Sequence, residues 1–415
     1  MIEQIIKEIC IKAKEASSVL AAASSDTKNK VLLRAADNIL KNTALILKAN
    51  AEDIAALSPE KARAFKDRLL LTQERLSAVA EGVKKVAALP DPVGKVLASW
   101  QVESGLEISR VTIPLGVLCV IFEARPNVCA DAAALCFKAG SSVILRGGGD
   151  SFNSCKALYA CFKEALSFYN LPDGCIQLIP VKDHCAVDVL LEQKDYIDVL
   201  IPRGGKKLIE KIAQSKIPSF KHLNGICHTY IHKDANIAMA RKVLLNAKLR
   251  RTSICGATET VLLDKALGEE KIKQVLGVLL ENGCEVRADE YIRTFMPQLP
   301  PATEEDWGTE YLDAIISAKT VDSVAEACRH IAKYGSSHTE AIITDNAAAA
   351  QEFLNTVNSA VVMHNTSTQF CDGGEFGMGA EIGIATGKLH ARGPVGLEQL
   401  VTFKYQVRGH GETRK

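Results

Sequence analysis

Apolar and polar positions alternate with two different periods along the chain. Through residues 26–90, rich in Ala, Lys, Glu and Leu, apolar side chains such as Val31, Leu32, Ala35, Ile39 and Leu40 recur at helical spacing and predict a helical lead-in. After "LPDPVG" the period shortens. The runs "LEISRVTIP", "GVLCVIF", "SSVILRG", "YIDVLIPRGG", "HTYIH", "TETVLLD", "EAIIT" and "SAVVM" read as strands. Amphipathic helices are predicted between them. Segment 151–169 sets Cys155, Leu158, Tyr159, Phe162 and Leu166 on one face and stops at "NLPDG", and segment 128–139 runs from Pro126-Asn127 to Gly140. Strand and helix alternate from 116 to 220, which predicts right-handed parallel crossovers and a doubly wound sheet with ligands at the carboxyl ends of its strands. A second series from 226 to 365 predicts another α/β domain.

Composition narrows the class of molecule. With 415 residues, 47% of them hydrophobic and 24% charged, the chain can bury a large core and form two or more domains. Fifty Lys plus Arg against 49 Asp plus Glu argue against a nucleic-acid surface built on a broad basic field. The opening "MIEQIIKEICIKAKEASSVL" interleaves Glu and Lys with its apolar residues, unlike a signal peptide, and no stretch reaches the roughly 20 apolar residues of a membrane span. A cytoplasmic protein is expected. Thirteen cysteines without a Cys-x-x-Cys pair match neither a disulfide framework nor a zinc ribbon, so most are expected as reduced core thiols and no metal is expected.

Two strand-to-helix turns carry glycines. In "SSVILRGGGDSFNSC" a strand ends at Arg146 and is followed by Gly147, Gly148 and Gly149, with a helix cap near Asp150 or Ser151; in "YIDVLIPRGGKKLIEKI" Arg203, Gly204 and Gly205 precede a helix. Open helix N-termini beside arginine suit a phosphate, so the pair favours a nucleotide. Neither turn matches G-x-G-x-x-G, since Phe152 stands at the third glycine position of the first. The same glycines also serve plain tight turns.

"LRRTSICGATET" places Cys255 after Arg250 and Arg251 and just before an apolar run. A free cysteine is more often packing than chemistry. Its surroundings point the other way. The stretches "VTIPLGVLCVIFEARPNVCADAAALCFKAGSSVILRGG", "YIDVLIPRGG", "GICHTYIHKDAN", "NAKLRRTSICGATETVLLD" and "FCDGGEFGMGAEIGIATGKLHARGPVGLEQLVTFKY" together resemble the γ-glutamyl phosphate reductase, or glutamate-5-semialdehyde dehydrogenase, family of the aldehyde dehydrogenase superfamily, from about residue 10 to 405.

That resemblance implies an aldehyde-dehydrogenase-like α/β fold: a Rossmann-type cofactor domain over residues 1–225, a catalytic domain over 226–365 carrying Cys255, and a return to the first domain over 366–415. A β-hairpin near 101–114, with the segment after "LHARGP", would form an oligomerisation element for a dimer or tetramer. The implied reaction is NADPH-dependent reduction of L-glutamate 5-phosphate to the semialdehyde, the second step of proline biosynthesis, and association with the glutamate 5-kinase that makes the acyl phosphate is left open. The chain departs from the commoner pattern in three places: Arg250-Arg251-Thr252-Ser253 stands where Gln-Arg-Pro-Ser is frequent, Gly256 follows the thiol where Asn is frequent, and Gln369 stands where Arg is frequent.

The chemistry asks for particular groups. A thiolate displaces phosphate and leaves a thioester, a good hydride acceptor. A cysteine of ordinary pKa about 8.5 needs positive charge to ionise at neutral pH, and in an extended segment only one of Arg250 and Arg251 would face the site. Donors for the developing oxyanion are the Cys255 N–H and Asn127, which also reads as a helix cap. Arg125 and Arg250 suit the substrate's phosphate or α-carboxylate. By resemblance, Arg146 takes the place of an adenosine-ribose lysine, with Gly149 where NAD-preferring members carry glutamate, and Glu305 in "EEDWG" matches a nicotinamide-ribose glutamate. His222 falls at the place of a hydrolytic glutamate base; it and His228 receive no definite catalytic role. An aldehyde dehydrogenase or acyl-CoA reductase with the same thiol chemistry, and a catalytically silent dinucleotide-binding assembly protein, are the alternatives.

Overall fold

The computed structural model describes residues 2–60, 63–220 and 224–414. The chain forms two compact units, one of Met1–Lys221, Gly377–Gly383 and Val395–Lys415, the other of His222–Phe376 and Ile384–Pro394. The stretch 366–415, expected to rejoin the first half as one piece, is thus divided: 366–376 and 384–394 cluster with the second unit.

Five helices open the first unit: α1 (Ile2–Ala21), α2 (Ser25–Lys41), α3 (Thr43–Ala55), α4 (Arg63–Leu69) and α5 (Gln73–Ala88). Ser24 and Thr72 cap α2 and α5 by accepting the N–H three residues on. Strands β1 (Val96–Gln101) and β2 (Glu107–Pro114) then form an antiparallel hairpin, which begins earlier than the 101–114 expected from the sequence. The winding core follows: β3 (Val117–Phe122), α6 (Pro126–Lys138), β4 (Ser142–Gly147), α7 (Phe152–Phe168), β5 (Ile176–Leu178), α8 (Cys185–Leu191), β6 (Val199–Arg203) and α9 (Lys206–Ala213).

The four strands lie in the order β5-β4-β3-β6, all parallel. Every residue of β3 is buried, as a central strand covered on both faces requires. Val117, Cys119 and Ile121 pack with Ile6 and Cys10 of α1, Leu190 of α8 and Ile212 of α9. Phe122 points to the other face, where Cys155 of α7 lies. Each such aliphatic side chain contributes about 1.5–3 kcal/mol when fully buried. The order reverses at β3, so the crevice between the carboxyl ends of β3 and β6 is the topological switch point.

The second unit repeats the logic with β7 (Cys227–Ile231), α10 (Ile237–Leu249), β8 (Thr258–Asp264), α11 (Glu269–Glu281), β9 (Glu285–Ala288), α12 (Glu290–Phe295), β10 (Ile315–Val321), α13 (Val324–Tyr334), β11 (Thr339–Ile343), α14 (Ala347–Thr356) and β12 (Val361–His364). Its six parallel strands run β12-β11-β7-β8-β10-β9. Val261 and Leu263 of β8 pack with Leu244 of α10 and Leu276 of α11, while Leu262 joins Ile331 of α13 and Phe353 of α14 on the opposite face. A short antiparallel pair, β13 (Ile384–Ala385) and β14 (Gly393–Pro394), belongs to this unit. Finally β15 (Val401–Arg408) pairs antiparallel with β2, giving the first unit a three-stranded sheet β1-β2-β15. Among the described residues, no helix is long and apolar enough to cross a membrane.

Candidate active site

Helix α10 ends at Arg250, whose backbone is still helical (φ −55°, ψ −44°), and residues 252–257 turn before β8 begins. The thiol therefore sits in a turn at the amino end of a buried strand, not in the extended segment expected from the sequence. Of the thirteen cysteines eleven are buried; Cys185 is exposed and Cys255 partly exposed. Cys255 packs against the cluster of Ala341, Met363, Cys371 and Ile384.

Its peptide is pinned from two sides. Gly225 passes so close that a Cβ there would lie 2.1 Å from the Cys255 carbonyl oxygen, which explains why position 225 has no side chain. The same carbonyl accepts the thiol of buried Cys227 at 3.1 Å. Gly225 N–H donates to Glu310 Oε1 at 2.8 Å, and burial raises the pKa of Glu310 against that bond. A chain of buried hydroxyls, Thr229 to Thr258 at 2.7 Å and Thr258 to Thr368 at 3.0 Å, ties β7 and β8 to the turn at 367–370.

Gln369 of that turn is 5% exposed. Its Oε1 accepts Arg250 Nε–H at 2.9 Å, and its Nε2 donates to the carbonyls of Ala247 at 2.8 Å and Arg251 at 3.3 Å. Two of the positions that depart from the commoner pattern, 250 and 369, are therefore bonded to each other.

Beneath the turn lies a charged core. Lys248 and Glu259 form a fully buried ion pair, and Glu259 also accepts the Leu312 N–H at 3.3 Å. Burial pushes the Glu259 carboxyl up to about 7, with Lys248 opposing the rise. His228 is fully buried with both its N–H and Nδ1 on Glu340 Oε2, at 2.8 and 2.9 Å. This histidine serves the core, where its bonds to Glu340 tie β7 to β11. His222 lies outside the described residues. Glu305 is exposed beside a polar cleft that it lines with Arg287, Asp306 and Tyr311, and its carbonyl accepts the Thr309 hydroxyl.

In the first unit, both glycine turns fall where expected, but each helix N-terminus already bonds to a carboxylate. On α7 the backbone N–H groups of Asn153 and Ser154 donate to Asp53 of α3 at 3.1 and 2.8 Å, so neither Asp150 nor Ser151 caps the helix by its side chain. On α9 the Gly205 N–H donates to Glu123 Oε2 at 3.1 Å. A carboxylate at each end occupies the place proposed for a phosphate. Gly147 and Gly204 lack side chains for packing reasons: a Cβ would meet Cys155 Sγ at 3.0 Å and Leu208 at 2.7 Å respectively. At Gly148 and Gly149 a Cβ would make only ordinary contacts, at 3.6 Å with the Glu123–Ala124 backbone and at 3.8 Å with the Lys182 carbonyl oxygen.

Arg146 is 3% exposed, and its guanidinium is spent on the carbonyls of Gly147, Lys182 and Asp183, so its charge faces inward. Lys182 is exposed, with its backbone carbonyl beside Gly149 and its Nζ over the Phe152 ring at 5.2 Å, a cation near this turn that no local motif signals. Arg203 stacks against Gly383 and faces Asp131 of α6. Burial raises the Asp131 carboxyl to about 6 despite the Asn127 amide at 3.1 Å and the Arg203 charge. Arg125 is the N-cap of α6, with Ala124 before it at φ +44°, and Pro126 opens the helix. Asn127 is consequently the second helical residue and no cap; one N–H of its amide goes to Asp131. Arg125 and Asn127 share this turn with Glu123, while Cys255 and Arg250 share the turn of the second unit.

A sequence profile of the aldehyde dehydrogenase family matches residues 3–281. The γ-glutamyl phosphate reductase of Rhodospirillum rubrum is 53% identical over 97% of this chain and 95% of its own length, and that of Brucella suis 52% identical over 100% and 99%. The crystal structure of γ-glutamyl phosphate reductase from Thermotoga maritima superposes with a TM-score of 0.97 at 38% identity, covering 99% of this chain and 100% of that one. An acetylating aldehyde dehydrogenase from Geobacillus thermoglucosidasius shares the fold, with a TM-score of 0.71 at 16% identity over 100% and 98% of the two chains. With a thiol held at the head of a buried strand, a doubly wound sheet in each unit and these likenesses over nearly its whole length, the chain belongs to the aldehyde dehydrogenase family, in its γ-glutamyl phosphate reductase branch.

Proposed function

We propose that the chain reduces L-glutamate 5-phosphate with NADPH to L-glutamate 5-semialdehyde and phosphate, the second step of proline biosynthesis, through a thioester on Cys255. The observation that carries this reading is Cys255 itself: one of two thiols among thirteen that are not buried, and the one whose peptide is fixed by Gly225 and Cys227. The Cys255 thiolate attacks C5, the phosphate leaves with the electron pair of the C–O bond, and a thioester remains. When bound, the nicotinamide dinucleotide of this family supplies the hydride. The resulting thiohemiacetal collapses to the aldehyde and frees the thiolate.

The residues of the first unit fit a dinucleotide in part. The switch-point crevice and the side-chain-free positions 148 and 149 suit it, whereas the N-termini of α7 and α9 already bond to the carboxylates of Asp53 and Glu123. Lys182 would meet a ribose 2′-phosphate at the place where Arg146 turns inward, and the missing carboxylate at Gly149 spares it repulsion. Arg203, Gly204, Gly205 and Glu305 remain candidates for contacts to the rest of the cofactor. Arg125 and Arg250 are the candidates for substrate oxyanions, and the candidate donors to the developing oxyanion are the Cys255 backbone N–H and Asn127, which has one amide N–H unengaged among the described residues. Exposed Val96, Trp100, Tyr405 and Val407 on the β1-β2-β15 sheet suit contact between copies in a dimer or tetramer, and cytoplasmic placement fits the chemistry.

The test is phosphate-dependent reduction of NADP by the semialdehyde, wild type beside Cys255→Ser. A fall in kcat of about 10³-fold or more with cofactor binding retained is expected; a serine variant at native rate rejects the pathway. In fluorescence titrations Lys182→Ala should weaken NADPH about tenfold and leave NADH unchanged, a loss on the order of one charge-assisted contact.

A further inference from the structure

We infer that Gln369 is a positioning residue, which holds Arg250 so that its guanidinium fork meets an anionic group of the substrate; this rests on the proposed activity and names its specificity device. The amide has one possible orientation. Both Nε2 hydrogens face carbonyl oxygens, of Ala247 and Arg251, and Oε1 faces the Arg250 Nε–H. Turned over, it would set an NH₂ against a donor and an oxygen against two acceptors.

The bond uses the stem nitrogen of Arg250. Nη1 and Nη2, the two that match a carboxylate or phosphate, have no protein partner among the described residues, and the side chain is exposed five positions before Cys255. Arg251 differs: only its carbonyl is engaged by Gln369. The turn carrying Gln369 also fixes the residue after the nucleophile, because a Cβ on Gly256 would lie 3.2 Å from the Thr368 carbonyl oxygen. One buried amide thus sets the Arg250 fork relative to the thiol. A carboxylate at 369 would repel the two carbonyls, and a cation there would repel Arg250.

The experiment varies phosphate and aldehyde separately in the oxidising direction. Gln369→Met is expected to raise one of the two KM values about tenfold and keep kcat within about twofold. A rise for the aldehyde places the fork on the α-carboxylate, and a rise for phosphate places it on the phosphoryl oxygens. Arg250→Met should show the same rise, and the double variant no more than Arg250→Met alone. Arg250→Lys, a surface change that leaves the buried amide intact, loses the Nε–H and should match Gln369→Met. Wild-type KM values in Arg250→Lys, or additive losses in the double variant, overturn the inference. Wild-type turnover and its loss in Cys255→Ser are measured first; if they are absent the activity itself falls, a result distinct from any at position 369.

Discussion

The two parallel sheets carry charge in opposite ways. In the first unit β3, β4 and β6 are uncharged along their length until Arg146 and Arg203 near their ends, and the carboxylates lie outside the strands, where Asp53 of α3 and Glu123 of the turn after β3 accept N–H groups at the starts of α7 and α9. In the second unit the strands themselves hold His228, Glu259 and Glu340, all fully buried, directly beneath the loop that bears the thiol. The first arrangement leaves a stiff apolar frame whose openings lie between strands. The second fixes one loop through charges that cannot move without losing their partners.

Removing one of those charges should be the most damaging change. Glu259→Gln leaves Lys248 buried beside a neutral amide, and a loss of about 3–5 kcal/mol is expected in urea unfolding. Lys248→Met with Glu259→Leu should recover most of it; if Glu259→Gln alone is neutral, the contrast between the sheets fails. Next comes Gly225→Ala. Its methyl would displace the Cys255 carbonyl, and kcat should fall about 100-fold with the fold retained by circular dichroism, since a misplacement of order 1 Å has that cost.

The mildest case is Asp131→Asn in the first unit. The folded carboxyl titrates near 6, above the ordinary carboxylate value, so below about pH 4 it is protonated folded or unfolded. Between about 4 and 6 the unfolded chain loses this proton first and stability declines as pH rises. The asparagine variant lacks that decline. Its stability relative to wild type in urea unfolding should climb over this window and level off above pH 6, an effect of up to about 3 kcal/mol.

Much of the frame is legible from local pattern. "TETVLLD" is β8 to the residue, because a run buried on both faces carries its own boundary in the polar groups at its ends. The three-residue β5 and the strands β1, β9 and β10 carry weaker signals. β5 is too short for a period to register, and β1 is mostly exposed, so its pattern follows no core. The turns "RGGGD" and "RGGKK" are also placed correctly by sequence. What closes them is not legible, since Asp53 lies 100 residues from Asn153 and Glu123 82 residues from Gly205. For the same reason Arg250 and Gln369, 119 residues apart, stand out singly in the sequence and only the fold makes them partners.

The pairing of β15 with β2, from Val401 opposite Pro114 to Arg408 opposite Glu107, bears on how the chain emerges from the ribosome. The outer edge of β2 must wait until the entire second unit has been translated before its neighbour exists. At about 5–20 residues per second the delay is some tens of seconds. Throughout it a half-made sheet shows unpaired backbone and the exposed Trp100 to other nascent chains. Slow elongation, or a stop codon shortly before residue 401, would turn that waiting edge into a seed for clumping.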